Sequence, residues 1–466
     1  MARVLNQRVT WRLATPLLID GALVLSSVAI STSLLVGPPM RTQLDDPVFL
    51  FKLALVAAIC QLCLYYADLY EAHAGVDSRE LLVRLMRSFG VTALVLAVVY
   101  AAVPVLVVGR GVFALAVGLL LGLVPVWRSG FDWIVDRLAP SERILIVGTK
   151  PAAVSLAREL ATRRRELGVK VVGFVEVEPA ARVRAFIPAP GIVGLVSDIP
   201  EIVSQCRVDR VVVSLEDARG KLSMNDLLDM KLHGVRFDHL ASVYEEYTGR
   251  IAVENLRPSW LIFSDGFRKR RALTITKRAV DVLAAALGMV VGGPLMLVVA
   301  AAIKLTSAGS VLYHQTRTGE GGKAFTVHKF RTMRTDAESR TGPVWASARD
   351  PRVTSLGGIL RRTRLDELPQ LWNILCGEMS LVGPRPERPE FVQDLTEQIP
   401  FYGQRHVVKP GLTGWAQVSY TYGASVEDAM EKLQYDLFYI KNMSGILDLV
   451  IIFATIKTVL RQRGSR

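Results

Sequence analysis

The densest chemistry in the chain lies in Leu360-Arg361-Arg362-Thr363-Arg364-Leu365-Asp366-Glu367-Leu368-Pro369-Gln370-Leu371-Trp372-Asn373. A carboxylate pair, Asp366-Glu367, follows three arginines. Such a set can hold an anionic ligand against a nucleophilic or metal-binding carboxylate, or it can be a structural ion-pair cluster. Leu368, Leu371, Trp372 and Leu375 recur at helical spacing, and Pro369 suits a first helical position, where a missing N–H costs nothing. The spacing predicts Asp366 and Glu367 at a helix N-terminus. Free N–H groups and the positive end of the dipole keep a carboxylate ionised there.

Groups suited to phosphate flank this stretch. Gln315-Thr316-Arg317-Thr318-Gly319-Glu320-Gly321-Gly322-Lys323-Ala324-Phe325 joins glycines to Lys323. It is no Walker loop: the spacing differs, and Ala324 stands where Ser or Thr would reach magnesium. Lys329-Phe330-Arg331-Thr332-Met333 and Asp350-Pro351-Arg352 follow. Gly383-Pro384-Arg385-Pro386-Glu387 reads as a rigid turn presenting one arginine, whose planar fork suits bidentate phosphate binding. Lys409-Pro410-Gly411-Leu412-Thr413-Gly414-Trp415 reads as another turn, leaving Trp415 for an interface.

The elements that position these groups begin in apolar sequence. Of 466 residues, 51% are hydrophobic, and they gather in the first 130 positions and around 279–303. Four segments, about 14–36, 48–67, 88–108 and 111–127, reach the roughly 20 residues a bilayer requires. Arg3, Arg8, Arg12, Arg79, Arg84, Arg87, Arg128, Arg137 and Arg143 lie on one side of these spans, against Arg41, Lys52 and Arg110 on the other. The positive-inside rule puts the N-terminus and everything after 128 in the cytoplasm, which makes the chain a multi-pass membrane protein. No cleavable signal is evident.

Arg143 to Gly148, Val169 to Val175 and Arg210 to Ser214 read as buried strands, and Ala152 to Leu160 as a helix, the order of a Rossmann-like domain. After Val147 comes Gly148-Thr149-Lys150-Pro151-Ala152-Ala153, with one glycine where the dinucleotide fingerprint needs three. A scaffold or regulatory domain is the expectation, without NAD(P) binding. Further on, Arg268-Lys269-Arg270-Arg271, Lys277 and Arg278 lead into an apolar stretch, Val282 to Ile303, closed by Lys304. Both flanks are basic and Gly292-Gly293-Pro294 lies at the centre. A re-entrant helix broken at Gly293 and Pro294, entering and leaving on one face, satisfies both facts. The last apolar segment, about 444–463, carries Asp448 and Lys457 and reads as an amphipathic helix.

The expected fold is therefore a helical membrane bundle (1–130), a degenerate Rossmann-like α/β domain (131–265) and an α-rich catalytic domain (266–466) with a re-entrant helix, 279–303. Net charge is +13, which favours anionic partners such as lipid headgroups and phosphates. No recognition helix or zinc-finger spacing points to nucleic acid. Four cysteines give no disulfide framework, and Cys60 and Cys63 lie inside an apolar segment.

From about 272 onward the chain resembles the bacterial sugar transferases, the polyprenyl-phosphate phosphoglycosyl transferases. The pieces that carry the resemblance are Lys329 to Met333, Asp350-Pro351-Arg352-Val353-Thr354, Leu365-Asp366-Glu367-Leu368-Pro369-Gln370, Gly383 to Glu387, Lys409 to Gly414 and Tyr435-Asp436-Leu437. The whole chain resembles the long form of that family. Leu256-Arg257-Pro258-Ser259-Trp260-Leu261-Ile262-Phe263 is similar to its exopolysaccharide branch.

The resemblance implies that a UDP-sugar gives its sugar-1-phosphate to undecaprenyl phosphate, with release of UMP. It implies Asp366 as nucleophile and magnesium as cofactor, held by Asp366 and Glu367. Arg385, Arg361, Arg317, Lys323, Lys329, Arg331, Arg352 and Asp436 are the implied substrate- and phosphate-binding set. Where other members often carry Ser before the proline of the break, this chain has Gly293. The competing readings are a membrane-bound nucleotide-sugar dehydratase and an inactive scaffold or sensor. The dehydratase would need the glycine fingerprint and Tyr-x-x-x-Lys, and none of the twelve tyrosines has Lys four residues on. The sequence names neither the sugar nor the oligomeric state, of which a homodimer is the common one for symmetric membrane enzymes.

Overall fold

A computed structural model describes residues 3–4, 7–8, 11–36, 46–70, 78–109, 111–138, 141–176, 191–214, 223–253, 264, 266–267, 271–335, 337, 350–420, 423 and 425–460. The exopolysaccharide-like stretch 256–263 and the basic run 268–270 lie outside them. Apart from its first residues, the chain divides into two compact units, 8–240 and 241–466.

The first unit opens with helices Trp11–Val36, Pro47–Tyr66, Ser78–Ala102 and Val112–Leu138. Each is long and apolar enough to cross a membrane. Val24, Val28, Cys60, Leu64, Leu85, Phe89, Leu120 and Val124 form their common core. Leu18, Leu34, Leu94, Val98 and Val126 point outward and are exposed, as a lipid-facing surface requires. The second helix starts where Asp46 accepts the Val48 N–H at 2.9 Å and Pro47 takes the first position. The third ends at Ala102, short of the expected 108, because Pro104 disfavours helical backbone at Val103, and a 3-10 turn follows. One charge pair is buried in the bundle. Arg128 reaches the fully enclosed Asp20 at 2.5 Å and donates to the Leu69 carbonyl.

A five-stranded parallel sheet follows. Its order in space is Ile192–Leu195, Val169–Glu176, Glu142–Val147, Arg210–Val213 and Arg236–His239. The expected strands and the helix Pro151–Thr162 are present to within two residues. Ile144, Leu145, Ile146 and Val147 are all fully buried, which is why they read as one apolar run.

In the second unit a 36-residue helix, Arg271–Thr306, precedes a hairpin of Leu312–Thr318 and Ala324–Phe330. The helix runs without interruption through Gly292, Gly293 and Pro294, where the sequence reading expects a break. An interior proline can bend a helix without ending it. Both ends are fastened to the same unit. Lys277 pairs with Asp448 at 2.7 Å, Arg278 donates to the Ile374 carbonyl at 2.5 Å, and Asp281 accepts from the Leu381 N–H at 3.0 Å. At the far end, Arg331 donates to the carbonyls of Ala308 at 2.8 Å and Ser307 at 3.0 Å. Between these anchors Leu287, Val290, Val291, Leu297 and Val298 are exposed.

The rest is helical around two short parallel strands, Ser380–Val382 and Gly411–Thr413. Leu433, Leu437 and Phe438 of helix Val426–Asn442 centre the core, joined by Ile251 and Val253. Residues 241–253 thus pack with the C-terminal unit, upstream of the 265/266 boundary expected from sequence. Trp415 is no free interface residue: its indole N–H donates to the Gly249 carbonyl at 2.8 Å. The last helix, Gly445–Leu460, buries Leu447 and Ile451 and exposes Ile446, Leu449 and Phe453, the two-faced pattern expected.

Candidate active site

Arg364 adopts φ +57°, a left-handed conformation that costs a non-glycine residue about 1–2 kcal/mol. It turns helix Ser355–Arg362 into a 3-10 turn, Leu365–Glu367, which carries the carboxylate pair. Helix Gln370–Cys376 follows with Pro369 at its cap, one step before the predicted first position. Leu371 and Ile374 point into the core and fix the turn, while Trp372 lies outside. Asp366 and Glu367 are each 8% exposed and line a cleft of about 510 Å³.

The two carboxylates have opposite surroundings. Glu367 Oε1 takes Arg385 at 2.8 Å, Lys329 at 3.4 Å and Arg364 at 3.5 Å. Burial raises its pKa, but Arg385, then Lys329 and Arg364, outweigh burial and hold it well below the usual carboxylate range. Among the described residues Asp366 has no hydrogen-bonding partner, and its Oδ1 is shielded from solvent. Burial, then the negative charge of Glu367, raises its pKa. The pKa of Lys329, beside Glu367, is lowered mainly by burial. Arg361 donates through Nε to Thr332 Oγ1 at 2.9 Å and lines the cleft.

Of the residues expected to bind phosphate, the structure gathers Arg361, Lys329 and Arg385 around the carboxylate pair. Arg317, Arg331, Arg352 and Asp436 line the same cleft while holding partners within the chain, and Lys323 lies outside it. Arg331 is 7% exposed and caps the end of the long helix through Ser307 and Ala308. Arg352 grips Asp350 with both arms, at 2.8 and 2.6 Å. Arg317 donates to Gln315 and to the Pro386 carbonyl at 3.1 Å. Lys323 stands exposed in the hairpin turn and is absent from the cleft lining. Its turn closes through Gly322 N–H to Gly319 O, so the glycines serve the hairpin rather than a phosphate. Asp436 is 1% exposed and bound to Arg405 at 2.8 Å; burial raises it to about 6.

Sequence reasoning missed Arg405 and the backbone role of Arg364. Arg364 was visible as a neighbour of the pair, but its backbone conformation was not. Arg405 carries no local signal at all, since its partners, Tyr402, Arg385 and Asp436, meet it only in the fold.

The carboxylate pair also bears on magnesium. Among the described residues no three His, Cys, Asp or Glu side chains converge as a metal cage. Magnesium does not require one, since it takes one or two carboxylates and fills its octahedron with water and substrate phosphate. The unpartnered Asp366 Oδ1 fits such a ligand, whereas Glu367 Oε1 is already committed to three cations.

Residues 272–462 match the family described as bacterial sugar transferase, and residues 66–227 match one described as CoA-binding domain. The UDP-glucose:undecaprenyl-phosphate glucose-1-phosphate transferase of Xanthomonas campestris pv. campestris is 33% identical over 337 residues, covering 70% of this chain and 68% of that one. This chain belongs to the bacterial sugar transferase family. The UDP-N-acetylgalactosamine-undecaprenyl-phosphate N-acetylgalactosaminephosphotransferase of Aeromonas hydrophila is 42% identical over 228 residues, 49% of this chain and 53% of that one. The exopolysaccharide production protein PSS of Rhizobium leguminosarum bv. phaseoli is 42% identical over 191 residues, 40% of this chain and 96% of the relative. The chain thus spans only about half of the Aeromonas relative. The two-part match also fits a sheet domain followed by a transferase unit.

Proposed function

We propose that this family member transfers sugar-1-phosphate from a UDP-sugar to undecaprenyl phosphate through a phospho-sugar intermediate on Asp366. The observation that carries the reading is the division of labour in the pair. Glu367 is saturated with cations, while Asp366 is buried, unpaired and beside them. A carboxylate without hydrogen-bond donors keeps its electron density for attack, which suits a nucleophile. Phosphoryl transfer asks chiefly for positioning and neutralisation of the phosphate oxygens. Arg361, Lys329 and Arg385 supply that charge.

The steps balance without net proton transfer. A carboxylate oxygen of Asp366 attacks the sugar-bearing phosphorus, and the phosphorus–oxygen bond to the nucleotide breaks. UMP leaves with that electron pair. A phosphate oxygen of the lipid then attacks the same phosphorus, the bond to Asp366 breaks, and the free carboxylate returns. Asp366 would hold magnesium together with the substrate phosphates. When bound, the metal would supply further neutralisation of the pyrophosphate. One phosphoanhydride replaces another, so the reaction is expected to be readily reversible.

The long helix supports a re-entrant placement. A straight 36-residue helix is about 54 Å long. Here both ends are fastened to one compact unit, and apolar side chains are exposed along the helix from Ile275 to Leu305. A helix dipping into one leaflet and returning fits that pattern, with the cleft at the cytoplasmic headgroup level. Cysteine labelling from outside intact cells, in a chain whose four native cysteines are replaced, tests it at Ala272→Cys and Glu320→Cys. Label entering either position from outside rejects the re-entrant reading. The name of the Rhizobium relative and the stretch 256–263 support a place at the start of exopolysaccharide synthesis.

The mechanism is tested by single-turnover labelling. Enzyme is mixed with UDP-sugar labelled at the sugar-side phosphate, without lipid acceptor, and quenched. Stoichiometric label on the peptide containing Asp366, with UMP released before acceptor is added, is the expected result. No label and no UMP without acceptor would sink the two-step reading in favour of direct attack by the lipid.

A further inference from the structure

Arg385 reaches Glu367 from a stretch with unusual backbone needs. Pro384 and Pro386 flank it, and neither has an N–H to give to a ladder. Gly383 cannot carry a side chain, because a Cβ would lie 2.4 Å from the Lys409 carbonyl oxygen. The stretch is instead held through its carbonyls. Pro384 O accepts from the Gly411 N–H at 2.9 Å, and Glu387 O from the Thr318 N–H at 2.9 Å. Between them, Arg385 O accepts from Arg405 at 3.0 Å and Pro386 O from Arg317 at 3.1 Å.

Arg405 is 5% exposed, so its charge is expensive to keep inside unless fully matched. Asp436 supplies the countercharge at 2.8 Å and the Tyr402 hydroxyl accepts at 2.7 Å. A buried guanidinium needs acceptors for several N–H groups, and the Nε of Arg405 has none among the described residues. This one spends an arm on the single carbonyl that belongs to the cleft arginine.

We propose that Arg405, set by Asp436 and Tyr402 and seconded by Arg317, is a positioning residue that aims the Arg385 guanidinium at Glu367 and at the substrate pyrophosphate. Arg405 and Arg317 border the same cleft, and the role assigned to them here runs through the backbone of Arg385 and Pro386. The inference rests on the transferase reading above. A fork is required at position 405 because its two terminal nitrogens serve three acceptors in fixed directions, which one ammonium cannot do. Side chains that hold a catalytic group to within a fraction of an ångström govern turnover more than substrate affinity.

The test is a double-mutant cycle on the full-length membrane protein, reading UMP release from UDP-sugar with undecaprenyl phosphate. Arg405→Lys should lower kcat by about tenfold and change KM for the UDP-sugar by less than about threefold. Arg385→Lys should lower kcat by a similar factor. The double variant should be little slower than either single one, because both remove the same aimed guanidinium. Tyr402→Phe, which keeps the charge pair and loses one anchor, should slow turnover in the same direction by a smaller factor. It carries the test if Arg405→Lys does not fold. Additive losses, or a loss that follows the folded fraction in thermal unfolding, would show Arg405 to be merely structural. That result leaves the transferase reading standing. A wild-type protein that releases no UMP from any UDP-sugar overturns the transferase reading instead, and this inference with it.

Discussion

The edge of the parallel sheet and the cleft of the C-terminal unit both present polar side chains from loops, and they spend them differently. At the sheet edge, Thr149 follows the first strand and donates its hydroxyl to Glu176, at the end of the neighbouring strand. The acidic group that a dinucleotide-binding fold would offer to a ribose is thus met from within the chain. In the cleft, Glu367 collects three cations while Asp366, one residue away, has none of its own. A fold that satisfies its polar groups internally has little left for a ligand. One that leaves a buried carboxylate unpaired bears a cost that a ligand or reaction can offset. The difference lies in side-chain partners, and both regions look alike at the level of strand-and-loop pattern.

Removing the unspent group is the hardest blow to this contrast. Asp366→Asn keeps size and shape but loses the nucleophile. Turnover should fall by at least about 10³-fold, with no label retained on the chain in the acceptor-free experiment. Turnover within tenfold of wild type would mean that Asp366 is not attacking phosphorus.

The next test compares two arginines that look equivalent in sequence. Both line the cleft, but Arg385 meets Glu367 whereas Arg352 grips Asp350 with two of its nitrogens. Lys should replace Arg385 poorly, at a cost of about tenfold or more, because a point charge cannot reproduce the fork. Arg352→Lys should cost less in turnover and show mainly in thermal stability. Equal losses at the two positions would erase the distinction between a phosphate-facing and a structural arginine.

The pH profile sharpens the same contrast within the pair. Burial and the Glu367 charge raise the Asp366 pKa, so the protonated, inactive acid persists to higher pH than for a free aspartate, about 3.9. Activity should therefore fall on the acid side at a pH higher than the titration of a free aspartate would give. Glu367, with its pKa lowered, stays ionised throughout. Glu367→Gln removes the like charge and frees Lys329, Arg364 and Arg385 to face Asp366. Both changes favour the Asp366 anion, so the acid limb of kcat should move to lower pH even as the rate drops. A limb that stays put or moves up would show that Glu367 does not set the Asp366 ionisation.

Much of this molecule was legible because burial leaves a pattern in sequence. Apolar runs gave the bundle helices, and unbroken runs such as Ile144 to Val147 gave the sheet. The Asp366-Glu367 stretch stood out because charges cluster there over few positions. The pattern failed where partners are remote or where backbone decides. Arg331, Arg352 and Asp436 line the cleft, but sequence could not show that each also holds an internal partner, Ser307, Asp350 or Arg405. Lys323 next to glycines suggested phosphate, but the glycines serve a hairpin turn in which Gly321 and Gly322 have φ +66° and +78°. The end of the third helix depended on Pro104, which overrode an apolar run continuing to Val108.

The smallest expected effect closes the comparison from the sheet side. Thr149→Val keeps the β-branched shape and removes the hydroxyl that meets Glu176. Glu176 would then lose that internal partner and be freer to act on a ligand. If the sheet edge is inert because its groups satisfy one another, the substitution should leave UMP release within about twofold of wild type, and NAD(P) should still fail to bind. The single Gly148 keeps pyrophosphate from approaching the loop backbone, and no hydroxyl change alters that. Calorimetry on the full-length protein, wild type and variant, with NAD and NADP reads the second point directly. Micromolar dinucleotide binding to the variant alone would mean that the Thr149–Glu176 contact, rather than the missing glycines, keeps the site shut. Binding to the wild type would show that one glycine suffices, and the sheet edge would then join the cleft as a place where this chain meets a nucleotide.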